Sequence, residues 1–139
     1  DIGSGAGFPG LILAIGAKSR KIPLKVSLID KSPRKVNFLR ELIEKLDLNV
    51  DVNCENVLSE KKTISHDVIV ARAFKPLGII LELIHSNAKN WKKFFVFLGK
   101  TGRQELVHAS KLWDIKYKQR VSITSSDSLI LEINGIKKK

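Results

Sequence analysis

The stretch D1-I-G-S-G-A-G-F-P-G10 sets Gly3, Gly5, Gly7 and Gly10 behind an acidic residue, and its reading decides the rest. A glycine-rich turn between a strand and a helix lets the backbone approach a ligand closely. The helix that follows then presents its free N–H groups. Leu11 to Gly16 continues as an apolar helix that closes near Ala17 to Lys21. A phosphate loop ends in Lys-Ser or Lys-Thr, and neither follows, which weakens that reading. The dinucleotide fingerprint G-x-G-x-x-G fails from Gly3, because Phe8 stands where the third glycine belongs. It fits from Gly5 through Gly7 and Gly10, so an NAD-type ligand stays open.

Working outward, residues 25–30 (KVSLID) read as a strand that ends in an acid. In nucleotide-binding α/β folds an acid roughly 20 residues beyond the loop accepts hydrogen bonds from ribose hydroxyls. Asp30 holds that position, and loop plus acid point to an adenosine-type ligand, against the plainer reading of a structural turn. Ser32 and Pro33 suit a helix start, and Val36, Leu39, Leu42, Ile43 and Leu46 form one stripe at helical spacing. Strands follow over 50–54 and 67–71, a helix over 77–90, a buried strand over 94–99 and a helix from Arg103 to Trp113. IKYKQRVSI and SLILEING then flank the turn-rich TSSD as an antiparallel hairpin. Strands alternating with helices predict a mostly parallel sheet covered on both faces, with a C-terminal antiparallel hairpin at one edge.

The 139 residues have room for one domain over 1–139 with one core, and 43% apolar content argues against general disorder. The longest apolar runs are too short for a membrane helix, and no stretch reads as a signal peptide. The lone Cys54 suits the reducing cytosol and, within a strand, reads as a small core residue. The absence of methionine reads as an N-terminally truncated chain. The net charge of +11 suits either a lysine-rich surface or a polyanionic partner such as RNA.

The fuller pattern D-x-G-x-G-x-G, from Asp1 to Gly7, resembles the cofactor loop of class I methyltransferases and favours S-adenosylmethionine over NAD. Together with LIDKSPRKVNFLRE (28–41), ARAF (71–74) and LGKTGRQEL (98–106), the chain resembles the RsmG (GidB) family over nearly its whole length. These are bacterial methyltransferases acting on N7 of a guanine in 16S ribosomal RNA. The resemblance implies an α/β, class I S-adenosylmethionine-dependent methyltransferase (Rossmann-like) fold, with the first strand and N-terminal helices missing here. It also implies a cytoplasmic enzyme whose partner is 16S rRNA or the small ribosomal subunit, acting as a monomer without metal or membrane.

By position in the family, Gly3 and Phe8 line the S-adenosylmethionine pocket, Val57 and Leu58 hold the adenine, and Arg72 of ARAF belongs to the cofactor site. Asp30 joins them as ribose acceptor. Leu58 has no polar side chain, so it contributes a backbone N–H or an apolar contact. Leu98-Gly99-Lys100 stands where many members read L-K-G, which displaces the lysine. Arg34 and Lys35 sit in a first helical turn, where the macrodipole disfavours cations by about 0.3–1 kcal/mol. They are candidate RNA-phosphate contacts. His66, His85 and His108 lack metal-ligand spacing, and no catalytic side chain is assigned. Two readings compete with the rRNA enzyme: a class I methyltransferase for a small molecule or protein, and an RNA-binding remnant without turnover.

Overall fold

Parallel neighbouring strands need a crossover connection, usually a helix, and this chain uses that solution more than once. The computed structural model describes residues 1–59 and 61–139. In chain order it contains α1 (Gly10–Ser19), β1 (Val26–Asp30), α2 (Pro33–Lys45), β2 (Val50–Cys54), β3 (Ile64–Ser65) and β4 (Val68–Arg72). Then come α3 (Leu77–Asn87), β5 (Ala88–Lys89), β6 (Lys93–Leu98), α4 (Gly102–Ala109), β7 (Trp113–Val121) and β8 (Leu129–Lys138). The chain divides into two compact units, Asp1–Lys61 with Val70–Arg72, and Lys62–Ile69 with Ala73–Lys139.

In the first unit β1 and β2 pair in parallel, from Val26↔Val50 to Asp30↔Cys54. α2 begins where the residues dictate. The Ser32 hydroxyl accepts from the Lys35 N–H at 3.4 Å, and Pro33 brings a helical φ to the first position, where no N–H is needed. Its stripe buries Val36 and Leu39 completely against Leu11, Leu28 and Val52, with Leu42 and Ile43 packed at the border. Each of those fully buried side chains contributes roughly 1.5–3 kcal/mol. Leu46, the last of the stripe, stays exposed as the helix ends.

In the second unit β8 lies between β6 and β7, antiparallel to both, and forms the expected hairpin with β7. Phe94, Val96 and Leu98 alternate inward on β6 and meet Leu129, Leu131 and Ile133 of β8 in register. α3 buries Leu77, Ile80, Leu81, Leu83 and Ile84, and packs on α4 and β8. Its start is capped from a distance: a Glu105 carboxylate oxygen accepts from the Leu77 N–H at 2.8 Å, and the Thr101 hydroxyl donates to the other at 2.7 Å. Lys116, Lys118 and Arg120 lie exposed on β7, where cations discourage pairing with a foreign strand.

Three local expectations are corrected. The helix expected over 77–90 ends at Asn87, because Ala88 turns extended and β5 pairs with β3. The helix expected from Arg103 to Trp113 ends at Ala109. Trp113 instead opens a nine-residue ladder with β8, and that pairing buries the indole beside His85 and Lys138. Cys54 is exposed rather than core, because it is the last residue of β2, past the inward Val52.

One ion pair of this unit makes a pH prediction. The Lys93 ammonium, bonded to Glu132 at 2.8 Å, holds that carboxyl below the usual carboxylate range. The charges of Lys93, Lys118 and Arg120 act the same way and desolvation acts against them. A folded value below the unfolded one means the stabilisation is complete above the unfolded value. It is lost as pH falls through the folded one. Lys93→Met is expected to raise the Glu132 midpoint in an NMR titration and to flatten this part of the acid limb of stability.

Candidate functional site

Parallel pairing brings the C-terminal ends of neighbouring strands to one edge, which is where open α/β folds bind ligands. In the first unit that edge collects the ends of β1 and β2 and the last residues of β4. Asp1–Ser4 lies between β1 and β4: Ile2 makes parallel bridges to both Ile29 and Ala71. The Ile2 N–H donates to the Val70 carbonyl at 2.9 Å, Ile29 N–H to the Asp1 carbonyl at 2.9 Å, and Ser4 N–H to the Ile29 carbonyl at 3.0 Å. The glycine loop therefore leaves the sheet at the edge where Asp30 and Arg72 end their strands.

Two carboxylates hold the loop in shape. Asp1 accepts from the Gly10 N–H at 2.9 Å, at the first residue of α1, where an acid complements the helix dipole. Asp30, 8% exposed, accepts from the Gly5 N–H through one oxygen and from the Ser32 N–H through the other, both at 2.9 Å. Gly3, Gly5 and Gly7 take φ of +65°, +57° and +96°, the left-handed region that side chains disfavour. A Cβ on Gly5 would meet nothing within 4 Å, so its backbone borders open space. Among the described residues Asp1 Oδ1 and Ser4 Oγ are buried without a hydrogen-bond partner.

The remaining expected cofactor residues differ in exposure. Phe8 is half exposed in the loop, and Arg72 is exposed at the end of β4. Beyond β2, Val57 is buried and Leu58 exposed. The Leu58 N–H donates to Asn56 Oδ1 at 3.3 Å, so its exposed side chain is the group left for an apolar contact.

A family model for rRNA small subunit methyltransferase G (GidB) matches residues 1–133. The chain belongs to the GidB family. It is 45% identical to the ribosomal RNA small subunit methyltransferase G of Pelagibacter ubique over 139 residues, all of this chain and 65% of that protein. The namesake protein of Rickettsia felis is 35% identical over 138 residues, 99% of this chain and 68% of its own length. The chain thus spans about two thirds of these relatives. Among solved structures, a SAM-dependent methyltransferase from Aquifex aeolicus superposes with a TM-score of 0.69 at 19% identity, covering 96% of this chain and 79% of that one. The fold is that of the class I methyltransferases.

This GidB chain also has a cleft of about 480 Å³ that sequence reasoning only half anticipated. Gly5, Ala6, Ser32, Arg34, Lys35 and Phe38 line it. Both candidate RNA contacts are among them, and none of Gly3, Phe8, Asp30, Val57, Leu58 and Arg72 is. Phe38 went unremarked in the sequence, although it stands one helical turn beyond Arg34, which was the available signal.

Proposed function

We propose that the chain forms the cofactor-binding part of an enzyme that transfers a methyl group from S-adenosylmethionine to N7 of a guanine in 16S ribosomal RNA. The observation that carries this reading is the family match over residues 1–133. The loop supports it: Gly3, Gly5 and Gly7 sit at positive φ, Gly5 borders open space, and Asp1 Oδ1 and Ser4 Oγ keep unused hydrogen-bonding capacity. These features suit a polar adenosine ligand with a charged amino-acid tail.

When bound, S-adenosylmethionine supplies an electrophilic methyl group on a sulfonium. Gly3 and Gly5 let the backbone approach the ligand. Asp30 is the ribose acceptor: each of its oxygens accepts one backbone N–H and retains a second lone pair. Val57, Leu58 and Phe8 provide apolar surface for the adenine and the pocket wall. Arg72 contributes a cation at the mouth of the site.

Guanine N7 carries a lone pair and no proton, so the residues need not supply a general base. Holding acceptor and methyl donor in line supplies most of the rate. Arg34 and Lys35 bind phosphates of the RNA, which is met in the cytoplasm as 16S rRNA or the small subunit.

The test is methyl uptake by small ribosomal subunits that lack the modification, mapped to the base by mass spectrometry, with S-adenosylmethionine binding measured by calorimetry. Methyl on N7 of one guanine is the expected result. Tight cofactor binding with no methyl on rRNA would overturn the acceptor assignment.

A further inference from the structure

We propose that Phe38, with Arg34 and Lys35, forms a subsite that stacks an unpaired base of the RNA substrate beside the glycine loop. This rests on the rRNA reading above and adds to it the place and manner in which single-stranded RNA is held.

Phe38 is an aromatic side chain that α2 leaves outside the core. α2 turns Val36 and Leu39 fully into the core, whereas Phe38 stays 51% exposed. An exposed phenyl forgoes much of the stabilisation its burial would bring. Residues three and four positions apart share a helix face, so Arg34, Lys35 and Phe38 stand together.

Neither cationic side chain has an ion-pair or hydrogen-bond partner among the described residues. Both sit where the helix dipole disfavours them. The opposite wall of the cleft is Gly5 and Ala6, backbone and a methyl group, so a flat ring meets no bulky side chain there. No acid lines the cleft, because the Asp30 carboxylate is buried and turned to the Gly5 and Ser32 N–H groups. An exposed aromatic face flanked by unpaired cations is the arrangement that binds single-stranded nucleic acid: stacking on the ring, phosphates on the charges. Sequence-specific RNA recognition likewise targets unstacked bases in loops and bulges.

The probe is a short fluorescein-labelled single-stranded RNA, titrated by anisotropy at several salt concentrations, with S-adenosylhomocysteine calorimetry run in parallel. Phe38→Ala is expected to weaken RNA binding about tenfold or more without changing the salt slope, because stacking releases no counterions. Phe38→Trp is expected to retain the affinity. Arg34→Ala with Lys35→Ala is expected to lower the salt slope by about 1.4, the value for two lost phosphate contacts on a single strand. S-adenosylhomocysteine affinity is expected to hold in all variants and each is expected to stay folded by urea unfolding, since none of these side chains belongs to the core.

RNA binding by Phe38→Ala equal to that of the wild type overturns the subsite. So does a loss of S-adenosylhomocysteine affinity equal to the loss for RNA, which would assign the ring to the cofactor. Those results leave the rRNA reading standing if the wild type still methylates small subunits. A wild type that binds S-adenosylhomocysteine but neither binds nor methylates RNA overturns the rRNA reading and the subsite with it.

Discussion

Asp30→Ala is expected to destabilise the first unit by roughly 3 kcal/mol or more and to abolish measurable S-adenosylmethionine binding. The carboxylate accepts two backbone N–H bonds at 2.9 Å, one from Gly5 in the loop and one from Ser32 ahead of α2. Bonds to a charged acceptor contribute about 1.5–3 kcal/mol each, and the alanine leaves both donors without their partner. The same loss releases Gly5 from its left-handed conformation and removes the ribose acceptor, so stability and binding fall together. Asp30→Asn is expected to lose part of both. Its amide oxygen accepts one N–H, while its NH₂ group opposes the other donor. Urea unfolding and calorimetry on the same preparations check this. A midpoint unchanged in Asp30→Ala would mean that the two bonds do not hold the loop.

Gly10→Ala is the second large effect, and it acts through packing. A Cβ at Gly10 would lie 2.5 Å from Leu28 Cδ2, 2.8 Å from Asp1 Cβ and 2.9 Å from Asp1 Oδ2. Leu28 is fully buried, and Asp1 is held by its bond to the Gly10 N–H, so neither yields cheaply. Overpacking of this kind costs about 1–3 kcal/mol, before the strained Gly10–Asp1 bond is added. Gly16 provides the internal control. It lies within the same α1, where a Cβ would meet nothing within 4 Å, so Gly16→Ala is expected to stabilise by about 0.5–1 kcal/mol. Thermal unfolding of the two variants should therefore move in opposite directions. Shifts of the same sign would show that helix propensity, not the contact with Asp1 and Leu28, governs Gly10.

Much of the scaffold was legible because it rests on local signals. The Ser32-Pro33 start of α2, the Val36–Leu39–Ile43 stripe and the TSSD hairpin each follow from bonds and spacings within a few residues. The errors fell where partners distant in sequence decide. Trp113 continues a helical pattern locally, yet pairing with Lys138 makes it the first residue of β7. Cys54 has a strand neighbourhood, but how far β2 extends past the core decides its exposure. Neither quantity is written in the adjacent residues.

The site divides along the same line. The D-x-G-x-G-x-G pattern and Asp30 pointed from the residues alone to an adenosine-type ligand, because backbone conformation and charge at a strand end belong to the residue types themselves. The sequence likewise presented Arg34 and Lys35 as unexplained cations. Only the tertiary structure showed that Asp30 reaches back 25 residues to the Gly5 N–H. It alone opened a cleft between Gly5–Ala6 and α2 and placed Phe38 beside the two cations on its wall. The physical reason is that hydrogen-bond geometry and enclosed space are properties of pairs of segments. They come into being when β1 pairs with the residues around Ile2 and the loop closes over α2.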